Sequence, residues 1–150
     1  MKYFTLDELS RSSTAEKNNI KNKPTTDDIV ALTALVDNIL DPARQKIGAP
    51  ITVTSGYRCP QLNRLVGGSP TSQHTRGEAA DLTMASGKEN LQLARVIYKL
   101  GTFDQLIIEN ADPSVTQCQW VHVSYSRSGN RRQVLVKHKG QKGYKPYNLA

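Results

Sequence analysis

The sequence has few cysteines, no long apolar run and, over its last quarter, no acidic residue. Its two cysteines, Cys59 and Cys118, are too few for the disulfide framework of a small secreted domain. No apolar run approaches the roughly 20 residues needed to cross a bilayer. The start, MKYFTLDEL, lacks the basic segment and apolar stretch of a signal peptide. We therefore expect a protein that is cytoplasmic on synthesis and does not associate with a membrane.

The composition is that of a globular protein. The 150 residues are 37% hydrophobic and 22% charged, a balance that allows a core to form without disulfides or a structural metal. No internal repeat or low-complexity block divides the chain. The sequence therefore predicts one domain over residues 1–150, and we expect a monomer.

The net charge of +7 resides in the last quarter of the chain. From Pro113 onward there is no acid, and the basic residues are Arg127, Arg131, Arg132, Lys137, Lys139, Lys142 and Lys145. Such a cluster can hold nucleic acid, bind an anionic polymer such as a cell-wall glycan, or form a solvated tail. Because the segment has no nucleic-acid-binding motif and only Tyr125, Tyr144 and Tyr147 as stacking platforms, we expect no nucleic-acid partner.

Hydrophobic periodicity and capping signals predict an α+β fold. Helices are predicted at TLDEL, with Thr5 as N-cap, at TDDIVALTALVDNIL, and at GKENLQLARVIYKLG, which stops at Gly101. Pro42 either kinks the second helix or starts another segment that ends at Gly48. Strands are predicted at PITVTSGYR, AADLTM, FDQLIIEN, QWVHVSYS and RRQVLVKH, with hairpin-like breaks at NADPSVTQ and RSGN. The stretch SSTAEKNNIKNKP is predicted to be a polar connection.

One constellation of side chains suggests chemistry. In the strand QWVHVSY, alternation places Trp120 and His122 on the face opposite the apolar core residues, and it exposes Asp81 in the same way on AADLTM. With His74, these residues supply two imidazoles and one carboxylate. A catalytic zinc uses three such ligands and keeps a fourth position open. The alternative is a surface loop whose His and Asp are solvated and unrelated, since spacing alone produces such trios by chance.

Four segments carry a family resemblance: SGYRCPQLN, SPTSQHTRGEAADL, FDQLIIE and WVHVSYS. In order and separation they resemble the zinc D-alanyl-D-alanine carboxypeptidase-like peptidases (M15-type), which share a fold with the signalling domain of Hedgehog. The family pattern S-x-H-x-x-G-x-A-x-D matches at Ser72, His74, Gly77, Ala79 and Asp81. The resemblance covers nearly the whole chain. It implies a Hedgehog/DD-peptidase-like α+β fold, with helices packed against a central antiparallel sheet and one zinc per chain.

The resemblance also implies roles for individual residues. The family's zinc ligands fall on His74, Asp81 and His122. Its substrate-binding and transition-state arginine falls on Arg58, whose planar guanidinium can hold a carboxylate or an oxyanion; the alternative is a surface salt bridge. Ser72 either hydrogen-bonds substrate or holds its loop. Trp120 either forms a wall of a substrate cleft or packs in the structure.

The general base is where the sequence departs from the family pattern. Many members carry an acid three residues before the last histidine, and here that residue is Gln119, which cannot accept a proton. Glu109 is the predicted substitute, because a hairpin could bring the end of its strand beside His122. Hedgehog-like relatives carry a Glu in a similar place. The alternative is that Glu109 is an ordinary exposed residue at a strand end.

The activity that the resemblance implies is zinc-dependent hydrolysis of a peptide bond next to a D-amino acid in peptidoglycan stem peptides. A chain without a signal peptide that is similar to wall peptidases resembles a phage or prophage lysis or tail protein, which acts on the wall after release. The departure at Gln119 leaves an alternative, a catalytically inactive zinc-bearing module that binds the wall. The residues do not distinguish carboxypeptidase, dipeptidase and endopeptidase activity.

Overall fold

The structure, a computed structural model, describes residues 1–150 and builds helices against a six-stranded sheet. The helices are α1 (Leu6–Ser10), α2 (Ser13–Lys17), α3 (Thr26–Leu35), α4 (Asp41–Ile47), α5 (Pro60–Leu65) and α6 (Gly87–Leu100). A π-helical turn, Val36–Leu40, joins α3 to α4, and a 3-10 turn, Gln73–Arg76, precedes β2. The strands are β1 (Thr52–Ser55), β2 (Ala79–Thr83), β3 (Gln105–Ala111), β4 (Trp120–Ser124), β5 (Gln133–His138) and β6 (Lys145–Pro146).

The predicted helices form where their capping signals indicate. Thr5 caps α1, and its side chain and that of Glu8 satisfy each other's backbone N–H groups in a capping box. Gly48 and Gly101 end α4 and α6 with φ of 69° and 79°, a conformation that favours glycine. Pro42 lies in the first turn of α4. It therefore starts a further helical segment, which is one of the two alternatives that the sequence left open. No helix combines the length and the apolar character that crossing a membrane requires.

Two helices were missed by the sequence prediction. Part of the stretch predicted as a polar connection forms α2, because the Ser12 side chain accepts from the Ala15 N–H and Ala15 is buried. The second is α5, which begins at Pro60, a residue suited to the first helical position. Both helices have fewer than seven residues, too few for a periodic pattern to develop.

The sheet is mostly antiparallel, with strand order β1-β2-β4-β3-β5-β6. The break at NADPSVTQ connects the antiparallel pair β3 and β4, as predicted. The hairpin predicted at RSGN is wrong, since β5 crosses to the other side of β3 and pairs with it in parallel. Arg131 anchors this crossing by bonding Asp104 at the start of β3, and Val136 then enters the core.

The alternation predicted for the strands separates an apolar face of the sheet from a polar one. Val121 and Val123 are fully buried in the core, which also contains apolar residues of α3, α4 and α6. The opposite face carries His122, which lies directly across from Asp81 of β2. On the other side of β4, Glu109 of β3 is paired with Trp120. Antiparallel pairing therefore places these polar side chains on one surface.

Candidate metal centre and active site

Three side chains with metal-ligating atoms converge on the polar face of the sheet. Nδ1 of His122 lies 3.0 Å from Oδ1 of Asp81, and Nε2 of His74 lies 3.5 Å from Oδ2 of Asp81. All three ligand atoms lie within 4.8 Å of one another. Two ligands of a tetrahedral zinc, each about 2.0–2.1 Å from the metal, are about 3.3 Å apart. The observed spacing therefore fits one ion between them.

The orientation of His74 is fixed by a hydrogen bond on its far side. Nδ1 lies 2.7 Å from the carbonyl oxygen of Gly56, and the side chain is almost completely buried. Because a carbonyl oxygen can only accept, Nδ1 donates to Gly56, and Nε2 is the ring nitrogen that faces Asp81. Metal-ligating histidines usually make this kind of second hydrogen bond.

The turn between His74 and Asp81 depends on Ser72 and Gly77. The Ser72 hydroxyl accepts from the backbone N–H of His74 at 3.2 Å, so it holds the loop, one of the two roles predicted for it. Gly77 has φ of 70°, and an added Cβ would lie 2.5 Å from the carbonyl oxygen of Asp28. Any larger residue would be strained and would collide with backbone. The glycine therefore lets the chain return from His74 into β2.

The charge of Asp81 suits a metal ligand. Burial disfavours its ionised form, but hydrogen bonds from His122 and His74, together with their charges, hold its pKa well below the usual range. Asp81 is therefore ionised at neutral pH. One carboxylate and two imidazoles form a donor set typical of zinc sites with an open position. The chemistry of these residues thus fits zinc, while their role as ligands stays a prediction.

The trio lies in a cleft of about 990 Å³ that Arg58 also lines. The backbone N–H of Arg58 donates to the carbonyl oxygen of His74, which ties it to the ligand turn. Its Nε is buried and has no hydrogen-bond partner, and Arg58 takes part in no ion pair, so it is not the surface salt bridge considered as the alternative. Burial lowers its pKa, while the charge of Asp81 acts in the other direction. A buried N–H without a partner is costly, which favours an anionic ligand in the cleft.

Glu109 lines the same cleft, and only 7% of its surface is exposed. Antiparallel pairing of β3 with β4 brings it next to the strand of His122, as the sequence predicted. Burial raises the pKa of Glu109 and the charge of Asp81 adds to this, while His122 and Lys137 oppose it. Glu109 is therefore not an ordinary exposed residue. A buried carboxyl group with a raised pKa has the properties of a general base.

The other acids near the site are less suited to proton transfer. Glu78 is paired with Arg76, and Asp104 with Arg131, although both acids line the cleft. Gln119, at the position where many family members have an acid, lies outside the cleft lining, and its Oε1 accepts from Asn110 at 2.6 Å. Glu109 is thus the one acid of the cleft that has neither an ion-pair partner nor a place in the ligand trio.

Trp120 also lines the cleft, as one of its two predicted roles requires, and it is half-buried beside Glu109. Its contact with substrate, and that of Ser72, stay predictions.

The segment after residue 124 contributes a cleft wall that sequence reasoning missed. Arg131, Leu135 and Tyr144 line the cleft, although none belongs to a recognised motif. Burial raises the pKa of Tyr144, and its interaction with the Glu109 carboxyl group acts in the same direction. Only the parallel pairing of β3 with β5 brings this segment to the site. No local pattern in the sequence could have indicated it.

Comparison with known proteins identifies the family of the chain. A family model described as Peptidase M15 matches residues 2–124, most of the chain's 150 residues, and this range includes His74, Asp81 and His122. No curated protein matches. Peptidases of this family are generally zinc-dependent. The resemblance drawn from the four sequence segments is thus confirmed, and the chain belongs to the peptidase M15 family of metallopeptidases.

Proposed function

We propose that this protein is a zinc-dependent peptidase that hydrolyses a peptide bond next to a D-amino acid in peptidoglycan stem peptides. The observation that carries the proposal is one cleft that contains the His74, Asp81 and His122 trio, an unpaired acid and an unpaired arginine. The membership in the M15 family supports the reaction class. The D-amino acid and the cell wall as target come from the motif resemblance.

The chemistry follows from the groups that line the cleft. Zinc bound by the trio would polarise the scissile carbonyl group and lower the pKa of the attacking water molecule. Glu109 accepts a proton from that water and passes it to the leaving amine, which its raised pKa favours. Arg58 donates its free N–H groups to the oxyanion or to a carboxylate of the substrate. Strands β2, β3 and β4 hold Asp81, Glu109 and His122 in place before substrate binds.

The biological setting belongs to the same proposal. We expect the protein to act on the wall after release from the cytoplasm, as a phage or prophage lysis or tail protein would. The basic residues between Arg127 and Lys145 would favour an anionic wall polymer through their charge. The peptide of the wall is the proposed partner, with neither nucleic acid nor membrane involved.

Digestion of purified peptidoglycan with zinc-loaded protein tests the proposal. We expect about one zinc per chain and new peptide fragments that mass spectrometry identifies, and both should be lost in the variant His122→Ala. If elemental analysis finds no metal after zinc is supplied, the metal centre is wrong. If the zinc site is full but no wall substrate is cut, the protein is instead the catalytically inactive wall-binding module.

A further inference from the structure

Strand β1 lies at the edge of the sheet, next to the candidate active site. Its partner on one side is β2, and Ser55 pairs with Asp81 of the ligand trio. No backbone group of Thr52–Ser55 bonds to any element on the other side. An edge of this kind offers backbone N–H and C=O groups that an extended peptide can pair with.

A second cavity, of about 550 Å³, runs along this strand. One wall is the start of α2, with its N-cap Ser12 and with Ser13 and Thr14, and Leu62 of α5 contributes to another. The lining includes all four residues of β1, together with charged residues of both signs, Glu8, Arg11, Arg58 and Asp81. Its hydroxyl groups, its free backbone groups and its charges of both signs therefore suit a polar peptide that carries both an acidic and a basic side chain.

The second cavity meets the catalytic cleft at the candidate active site. Arg58, Val66 and Asp81 line both spaces, so the two spaces adjoin at one member of the ligand trio and form two arms of one groove. The first arm extends past Glu109 and Trp120 to Tyr144. A peptide bond positioned at the trio would thus have room for further residues on both of its sides.

We infer that the cavity along β1 binds an extended segment of the peptide substrate, so that the bond cleaved is internal to a chain rather than its last bond. This inference rests on the proposed peptidase function. The bound segment pairs with the free edge of β1, whose four residues span about 13 Å, enough for three or four residues of peptide. The occupant is a peptide extended on both sides of the scissile bond, as in a cross-linked stem peptide.

Binding of synthetic peptides to zinc-loaded Glu109→Gln protein tests this inference, with mass spectrometry to check that each peptide stays intact. The probes are the pentapeptide L-Ala-D-Glu-L-Lys-D-Ala-D-Ala and the same peptide extended by four residues at its amino end, at its carboxyl end, or through the lysine side chain. Calorimetry should show that at least one extension lowers Kd by tenfold or more.

A blocking substitution locates the effect. Ser13 is exposed and lines the cavity, so Ser13→Trp should fill part of it and abolish the gain from extension. Lys17→Trp, on the same helix but outside both cavities, is the matched control and should keep the gain. The inference is overturned if no extension improves binding in protein with an unmodified cavity, or if Ser13→Trp leaves the gain intact.

The two proposals fail in different ways. If the wild-type protein hydrolyses the peptides but extension does not lower Kd, the peptidase function stands and the peptide-binding role of the cavity along β1 is wrong. If extension lowers Kd and Ser13→Trp abolishes this gain, but no peptide is hydrolysed, the peptide groove stands and the peptidase function is wrong.

Discussion

At the level of single residues, the charged groups of the cleft differ in whether they have a partner. Arg76 and Arg131 each pair with an acid, whereas Arg58 and Glu109 form no ion pair. Folding does not favour buried charged groups without partners, and such groups are concentrated at functional sites. Substitution of Arg58 and Glu109 should therefore impair chemistry while leaving folding intact.

Replacement of Arg58 by lysine tests the planar guanidinium. Lysine keeps the charge but cannot present two parallel N–H groups to an oxyanion or carboxylate, so we expect kcat/KM to fall at least about tenfold. Zinc content should stay normal, since Arg58 is outside the trio. Steady-state kinetics on a wall peptide measures the effect, with Arg95→Lys, an exposed change on α6, as the control. Unchanged turnover in Arg58→Lys would mean that the guanidinium does not contact substrate.

Replacement of Glu109 by glutamine tests the general base. The amide has nearly the same size as the carboxyl group but cannot take a proton, so the rate should fall by a factor of about 10² to 10⁴ while fold and zinc content persist. Adding Gln119→Glu to this variant should restore little, because the side chain at 119 contacts Asn110 outside the cleft. Single-turnover rates check both variants. An undiminished rate in Glu109→Gln would place the base elsewhere.

At the level of elements, the sequence predicted what local interactions determine. Thr5 and Gly101 mark helix ends through contacts within a few residues, and the alternation around His122 follows from the geometry of a strand. The parallel pairing of β5 with β3 could not be predicted in this way. It depends on contacts between residues far apart in sequence, such as Arg131 with Asp104.

The turn that contains Gly77 gives a prediction at this scale. Gly77→Ala places a methyl group against the Asp28 carbonyl at a residue with φ of 70°, so the turn must shift. We expect a loss of about 1–3 kcal/mol in the free energy of unfolding and weaker zinc binding, because His74 moves with the turn. Denaturant titration and zinc competition measure the two effects. Gly48→Ala is the control, since its φ is similar but no atom lies within 4 Å of the added carbon. Equal effects of the two substitutions would refute the collision with Asp28.

The connection between Asp104 and Arg131 gives a pH-dependent prediction. Hydrogen bonds from Arg131 lower the pKa of Asp104, although burial opposes this. Because the pKa of Asp104 is lower in the folded state, its ion pair stabilises the fold fully above the unfolded-state pKa of about 3.9. This stabilisation is lost as pH falls through the folded-state pKa. Asp104→Asn should therefore cost about 1–2 kcal/mol near neutral pH and progressively less below about pH 4.

Urea titrations over a range of pH values measure this difference for Asp104→Asn. The control Asp27→Asn changes an exposed acid in the first turn of α3 and should cost less than about 0.5 kcal/mol. A difference between wild type and Asp104→Asn that does not change down to pH 2 would mean that the ion pair does not stabilise the fold.

At the level of the whole molecule, the residues of the site that belong to a sequence motif were predictable. Those that reach the site only through the path of the folded chain were not. His74, Asp81 and His122 were found from a spacing pattern and a family resemblance, and the structure brings them together. Tyr144 was considered only as a stacking platform, yet it lines the cleft near Glu109. The cavity along β1 forms between segments distant in sequence, so no pattern in the sequence could indicate it.

The family match ends at residue 124, which raises the question of whether residues 125–150 fold with the rest. In the structure, Val136 and Leu149 belong to the same buried core as Phe4 and Leu9 near the other end of the chain. Strand β5 also pairs with β3 along most of its length. Residues 125–150 thus share the core and the sheet of the rest of the chain, and we expect them to unfold together with it.

Calorimetry of the zinc-free protein tests this cooperativity. The domain predicted over residues 1–150 should unfold in one transition, with an enthalpy of about 100 kcal/mol at about 0.7 kcal/mol per residue and a van't Hoff enthalpy equal to the calorimetric one. Deletion of residues 125–150 exposes the edge of β3 and removes Val136 and Leu149 from the core, so the shortened chain should lose the transition or aggregate. Zinc is left out because its binding would couple regions that do not otherwise unfold together. If the shortened chain unfolds cooperatively at the same temperature as the full chain, the core does not depend on β5 and the prediction that residues 125–150 stabilise it is wrong.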